Sequence, residues 1–359
     1  MKKVLVVDWL DKYGGAERVI TALQKAANFD HLYALVNVMQ PDDLKKISPT
    51  PLKVTTTYLN RFGTAFRTMF FLMHHAVETI KVPEEVDLIV SSSHAVAKGV
   101  KKSAKHQVHI SYFQARNFKY IWDDQFLYFG RATILLQPLI RFLQRKDVKQ
   151  AQAPDYIIVN SNYVKKWVED RYKRIAKVIY PPVNLQAFPL EVQKEDYYVA
   201  VGRLVAYKHF DVIVKAFVQS GKKLVLVGDG AQMKALKFMA TDNIIFTGFV
   251  SEHKVYEYIS KAKAFIHAGI EDFGIAAVEA QSCGTPVITF EEGGMLETII
   301  SEKTGLFFKE RTPEMLNQCI EKFENYTFDY ALIHQHAQQF SEAQFHDKMQ
   351  QYISEVMKK

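Results

Sequence analysis

Short apolar runs rich in valine and isoleucine alternate along the chain with segments whose apolar residues recur at helical spacing, which predicts buried strands between amphipathic helices. In the first half the strand-like runs fall at residues 3–8, 87–91, 107–112 and 156–160. In the second half they fall at 197–201, 223–227, 244–246, 264–267 and 286–289. Such alternation places helices on both faces of a parallel sheet. The rhythm stops at Tyr180-Pro181-Pro182-Val183-Asn184, where paired prolines forbid helix and remove two backbone donors, and a charged polar stretch follows to Asp196. A linker there divides the chain into an α/β, doubly wound domain over 1–183 and a second one over 184–340. Residues 341–359, with Ser341 as a cap, read as a terminal helix.

A length of 359 residues with 48% hydrophobic content is enough for two cores. Cys283 and Cys319 are too few for a disulfide framework and lack zinc-site spacing, so a reducing, cytoplasmic setting is expected. The amino terminus opens like a signal peptide, but its apolar run stops at Asp8 without a cleavage site. No uninterrupted apolar stretch reaches bilayer-crossing length, so membrane contact is expected to be peripheral, on the inner face of the cell membrane.

The net charge of +7 favours anionic partners: nucleotide diphosphates, nucleic acids or acidic lipid surfaces. Cations gather beside aromatic residues in the first half, as in Arg61, Arg67, Arg116, Lys119, Arg131, Arg141, Arg145 and Lys146. The runs 61–75 and 118–145 therefore read either as a surface for a lipid-linked acceptor or anionic membrane, or as core-facing helices with cationic outer faces. A nucleic-acid binder would need a continuous phosphate track and ranks well below an enzyme; no nucleic-acid partner is expected.

Open α/β sheets bind ligands beyond the carboxyl ends of their strands, so residues following each predicted strand carry the candidate chemistry. After 264–267 comes Glu271-Asp272-Phe273-Gly274-Ile275-Ala276-Ala277-Val278-Glu279-Ala280, with a helix opening near Gly274. Glu271 in the loop and Glu279 just over a turn into the helix can point into one crevice, and the N–H groups of Phe273, Gly274 and Ile275 suit an anion or sugar hydroxyl. Plain helix capping beside a solvated face would give the same pattern. After 197–201, Gly202-Arg203-Leu204 and then Lys208 bring a guanidinium fork and an ammonium to one strand end, either as a diphosphate clamp or as two solvated cations. Gly228-Asp229-Gly230 marks a turn.

In the first domain, Gly14 and Gly15 open a helix and would let a phosphate or sugar approach its N-terminus. His94, in Ser91-Ser92-Ser93-His94-Ala95, stands at another strand end, either as a donor to a sugar or phosphate or as a structural residue. A Gly-x-Gly-x-x-Gly turn is missing, which disfavours a nicotinamide enzyme. No Asp-x-Asp context follows a strand, so neither metal nor cofactor is expected.

In combination these residues resemble retaining glycosyltransferase family 4, whose fold is called glycosyltransferase B. The likeness covers most of the chain and is strongest over 199–308. It rests on Gly202, Arg203, Leu204 and Lys208, on the pair Glu271 and Glu279, and on Glu279, Ala280, Gly284, Pro286 and Val287 in the pattern Glu-Ala-x-x-x-Gly-x-Pro-Val. The resemblance implies two Rossmann-like domains facing across a cleft, with the closing helix returning to the first. It implies that Arg203 and Lys208 bind the donor diphosphate, Glu271 the sugar hydroxyls and Glu279 the ribose, and that Phe273, Gly274 and Ile275 present amides to sugar or phosphate. Gly14 and Gly15 would approach the phosphates, with His94 near the sugar. The Glu-Asp-Phe-Gly version resembles bacterial mannosyltransferases that use GDP-mannose, and implies a glycan, glycolipid or lipid-linked acceptor. The family's His-x-Pro-x-Arg-Tyr-x-Trp run is replaced here by Tyr112-Phe113-Gln114-Ala115-Arg116-Asn117-Phe118-Lys119-Tyr120-Ile121-Trp122, a departure on the acceptor side. A sugar-nucleotide epimerase or hydrolase of the same fold is the alternative.

Overall fold

Strands buried on both faces read as nearly continuous apolar runs, because each successive side chain meets a different helix layer. The first strand shows this directly: Leu5 and Val7 join one apolar cluster while Val4 and Val6 join the opposite one. A computed structural model describes residues 1–48 and 52–358, and Lys359 of the expected terminal segment lies outside the described residues. The chain divides into two units, Met1–Pro182 with the chain from Phe345 onward, and Val183–Gln344.

Among the described residues the first unit holds a parallel seven-stranded sheet. Its strands are β1 (Lys3–Leu10), β2 (His31–Asn37), β3 (Val54–Thr56), β4 (Leu88–Ser93), β5 (Val108–Phe113), β6 (Tyr156–Val159) and β7 (Lys177–Val178). Their spatial order is β3-β2-β1-β4-β5-β6-β7, so the direction of travel reverses between β1 and β4. One layer is closed by the helix Gly15–Ala27 and by the terminal helix Glu342–Met357. Phe345, Met349, Ile353 and Val356 recur at helical spacing and are buried there, each contributing about 1.5–3 kcal/mol. The Ser341 hydroxyl accepts from the Gln344 amide at 3.4 Å. The opposite layer takes Phe66, Met73, Ile140 and Leu143.

The second unit carries a parallel six-stranded sheet among the described residues: β8 (Tyr198–Val201), β9 (Leu224–Val227), β10 (Ile244–Gly248), β11 (Phe265–His267), β12 (Val287–Phe290) and β13 (Gly305–Phe308). The order is β10-β9-β8-β11-β12-β13, with its reversal between β8 and β11. Tyr198 and Ala200 pack into one cluster and Val199 into the other, repeating the two-faced burial of the first sheet.

β2, β3, β7 and β13 were not among the expected strands. β2 reads HLYALVN and β13 GLFF, runs with little β-branching, while β3 and β7 are edge strands of three and two residues. Arg131 and Arg141 interrupt the apolar run of Gln125–Gln150, yet by length and composition this helical segment is apolar enough to cross a membrane, with 17% of its apolar window buried.

Candidate active site

A strand-order reversal leaves two adjacent loops running to opposite sides of the sheet, and the crevice between them is where doubly wound sheets hold ligands. In the first unit those loops follow β1 and β4. β1 contains Asp8, a carboxylate 1% exposed within an otherwise apolar strand. A buried carboxylate must be satisfied by hydrogen bonds, and Asp8 accepts four. Oδ2 accepts the amides of His94 and Ala95 at 2.6 and 2.9 Å, and Oδ1 those of Val96 and Ala97, both at 2.7 Å. This fixes the loop after β4, and with it His94, whose Nδ1 lies 3.3 Å from Oδ2. The His94 ring meets Trp9 edge to face at 4.4 Å. Burial lowers its pKa, opposed by Asp8 and Asp11.

Beyond the end of β1, Asp11 pairs with Arg67, whose guanidinium lies over the rings of Phe66 and Trp9 at 4.7 and 5.6 Å. The run 61–75 thus turns Phe66 and Met73 into the core and commits Arg67 to the strand edge. Asp11 and Arg67 act electrostatically on both His94 and Glu17, placing the Gly14–Gly15 helix start at the same edge. Glu17, 6% exposed, accepts the Gly14 amide at 3.0 Å, and burial pushes its carboxyl up to about 7.

In the second unit the reversal brings the loops after β8 and β11 together. Lys208 Nζ stands 2.8 Å from Glu271 Oε1, and His267 Nε2, at the end of β11, is 3.5 Å from the same oxygen. Burial lowers the His267 pKa to about 4 against the opposing charge of Glu271, so it is neutral beside this pair. Arg203 donates to the Tyr207 hydroxyl at 3.0 Å. A side chain built at Gly202 would come within 3.3 Å of the Lys208 ammonium. One at Gly228 (φ 135°) would fall 1.9 Å from the Gly202 carbonyl, so the turn after β9 is glycine because it packs directly on the Gly202 backbone.

Gly274, at φ 98°, opens the helix Ile275–Ser282, on which Glu279 is buried. Phe273 points inward, its ring against Phe340 at 5.4 Å. The sequence reading missed Gly293 and Gly294. Gly294 donates to the Glu271 carbonyl at 2.8 Å, and a Cβ on Gly293 would lie 2.6 Å from that carbonyl, so this glycine pair lets the loop after β12 brace Glu271. It also missed Asp8 and His267. The signal for Asp8 was an acidic residue inside an apolar strand.

Residues 184–344 match the family model described as glycosyl transferases group 1. An uncharacterised glycosyltransferase of Methanocaldococcus jannaschii is 30% identical over 48% of this chain and 50% of its own length. A GDP-mannose-dependent alpha-mannosyltransferase of Mycobacterium tuberculosis is 30% identical over 35% of each chain. The chain thus spans half or less of the length of these two relatives. An O-antigen chain mannosyltransferase of Salmonella typhimurium is 24% identical over 77% of this chain and 84% of that one. The solved structure of a sucrose-phosphate synthase from Thermosynechococcus elongatus superposes with a TM-score of 0.75 at 17% identity, covering 99% of both chains. That likeness shows the fold, glycosyltransferase B.

Proposed function

Because residues 184–344 are a group 1 glycosyl transferase domain, we propose that this chain transfers a hexose, mannose from GDP-mannose, to a polysaccharide, lipid-linked oligosaccharide or glycolipid, with retention of anomeric configuration. The observation that carries the proposal is the cluster of Lys208, Glu271 and His267 at the strand-order reversal of this domain, where a phosphate-bearing ligand has a cation and a sugar a carboxylate.

In this reading Arg203 and Lys208 offset the charge that grows on the departing diphosphate, an electrostatic contribution concentrated in the transition state. Glu271 takes hydroxyls of the transferred sugar, and Glu279 the ribose. The amides of Phe273, Gly274 and Ile275 face sugar or phosphate oxygens, and Gly202 lets the diphosphate approach the backbone. Gly14, Gly15 and His94, at the β1–β4 edge of the first unit, are assigned to phosphate and sugar oxygens. The acceptor oxygen bonds to the anomeric carbon on the face from which the diphosphate leaves. The carbon–oxygen bond to the diphosphate breaks, and the leaving phosphate takes the acceptor proton. Glu271, engaged by Lys208, is a positioning anion and not a nucleophile. Two buried free thiols, Cys283 and Cys319, suit a cytoplasmic location.

Incubation with GDP-mannose or UDP-sugars, with and without bacterial lipid and glycan acceptors, tests the proposal. Acceptor-dependent release of nucleotide and an α-linked product are expected. Equal donor turnover without acceptor would favour the epimerase or hydrolase alternative.

A further inference from the structure

The helix Thr133–Gln150 has two faces of opposite character. Thr133, Ile140, Leu143, Asp147 and Gln150 are buried and hold it to the first unit. On the other face Ile134, Leu135 and Phe142 are 76%, 84% and 52% exposed, and the short helix Gln125–Phe129 just ahead exposes Phe126 at 69%. Large apolar side chains gathered in this way mark an interaction face.

Charge identifies the partner. Between 125 and 150 the cations are Arg131, Arg141, Arg145, Lys146 and Lys149, and the one carboxylate of the segment, Asp147, is buried against Lys98 at 2.6 Å. The exposed charge is therefore wholly positive. Apolar side chains dominate the N-terminal part and cations the C-terminal part, where Trp122, Arg141, Gln144, Arg145 and Val148 line an open cavity of about 380 Å³.

We propose that this arm docks on an anionic lipid bilayer. Phe126, Ile134, Leu135 and Phe142 enter the acyl boundary, and Arg131, Arg141 and Arg145 meet lipid phosphates. A second copy of the chain fits less well, since a two-fold contact would set like charges against each other. The arm lies on the bilayer and does not cross it. Its path breaks at Gly130 (φ 52°), and Asp147 is tied to the core by Lys98, by Trp122 Nε1 at 2.8 Å and by the Tyr172 hydroxyl at 2.5 Å. Crossing would tear out that buried network. The proposal does not depend on which sugar is transferred.

Flotation of the full chain with vesicles of phosphatidylcholine alone, or of phosphatidylcholine with phosphatidylglycerol, tests it. Binding to the anionic vesicles is expected to exceed binding to neutral ones by roughly tenfold or more. The paired changes Ile134→Asp with Leu135→Asp, and Arg141→Glu with Arg145→Glu, should each lower it by about as much, with circular dichroism and nucleotide affinity unchanged. Equal or absent binding to both vesicles overturns the proposal. So does wild-type self-association in ultracentrifugation that Leu135→Asp abolishes, which would assign the face to a second copy.

Discussion

Lys208 holds the carboxylate of Glu271 at 2.8 Å where the strand order of the second sheet reverses, joining the loop after β8 to the loop after β11. Each partner limits what the other can do. The ammonium keeps the Glu271 carboxylate oriented, and the carboxylate keeps Lys208 directed at the strand end.

Replacing Glu271 by Gln keeps the shape and removes the charge. Transfer should fall by roughly 10²–10³, the usual effect of losing one preorganised group in an active site, while nucleotide affinity changes little. Lys208→Ala should slow transfer to a similar extent. Steady-state kinetics beside calorimetry separates the two effects, and normal turnover in both variants would remove the site assignment.

Glu279→Ala should act on affinity. Loss of charge-assisted hydrogen bonds to a ribose weakens nucleotide binding by about 10–100-fold, with turnover at saturating donor largely kept. A variant with unchanged affinity and collapsed turnover would contradict the ribose assignment.

Much of this was legible in the sequence, and what was not has physical causes. Strands with dense β-branching, such as β1, β4 and β9, stood out because burial on both faces leaves an apolar run. β2 and β13 draw their apolar character from Leu, Ala and Phe, which suit helices or cores as readily, so they did not. Arg203, Lys208 and Glu271 could be named because they follow strands at short spacing. Asp8 could not be tied to His94, nor Gly293 to Glu271, because those contacts join segments distant in the chain and depend on sheet order. Arg67 looked like a surface cation until the fold brought it to Asp11.

Asp8 anchors the His94 loop through four amide hydrogen bonds. An asparagine there would turn an NH2 group toward N–H donors. Asp8→Asn should cost about 2–4 kcal/mol of stability in urea unfolding. A loss below about 0.5 kcal/mol would show that the loop is held by other means.

The raised pKa of Glu17 predicts a pH dependence of stability. Its carboxyl sits at about 7 against an ordinary 4.5, so the folded state binds the proton more tightly than the unfolded state. The contribution is fully present below pH 4.5, declines as pH rises, and is lost above 7, a change of about 3 kcal/mol at most. Urea melts of the wild type between pH 4.5 and 8 should show this decline, and Glu17→Gln should flatten it. An identical slope in both would exclude Glu17 as its source.

The central claim is that a nucleotide diphosphate is held at the β8–β11 edge by Arg203, Lys208 and Glu279. The most direct measurement is calorimetry of the wild type and of Arg203→Ala, Lys208→Ala and Glu279→Ala with GDP, UDP and ADP in the presence of EDTA. One nucleotide, GDP, should bind the wild type with micromolar affinity, Glu279→Ala should weaken it at least tenfold, and Arg203→Ala and Lys208→Ala should weaken it less, their larger effect falling on transfer. Failure of all three nucleotides to bind the wild type, or affinities that none of the substitutions alters, would contradict the account.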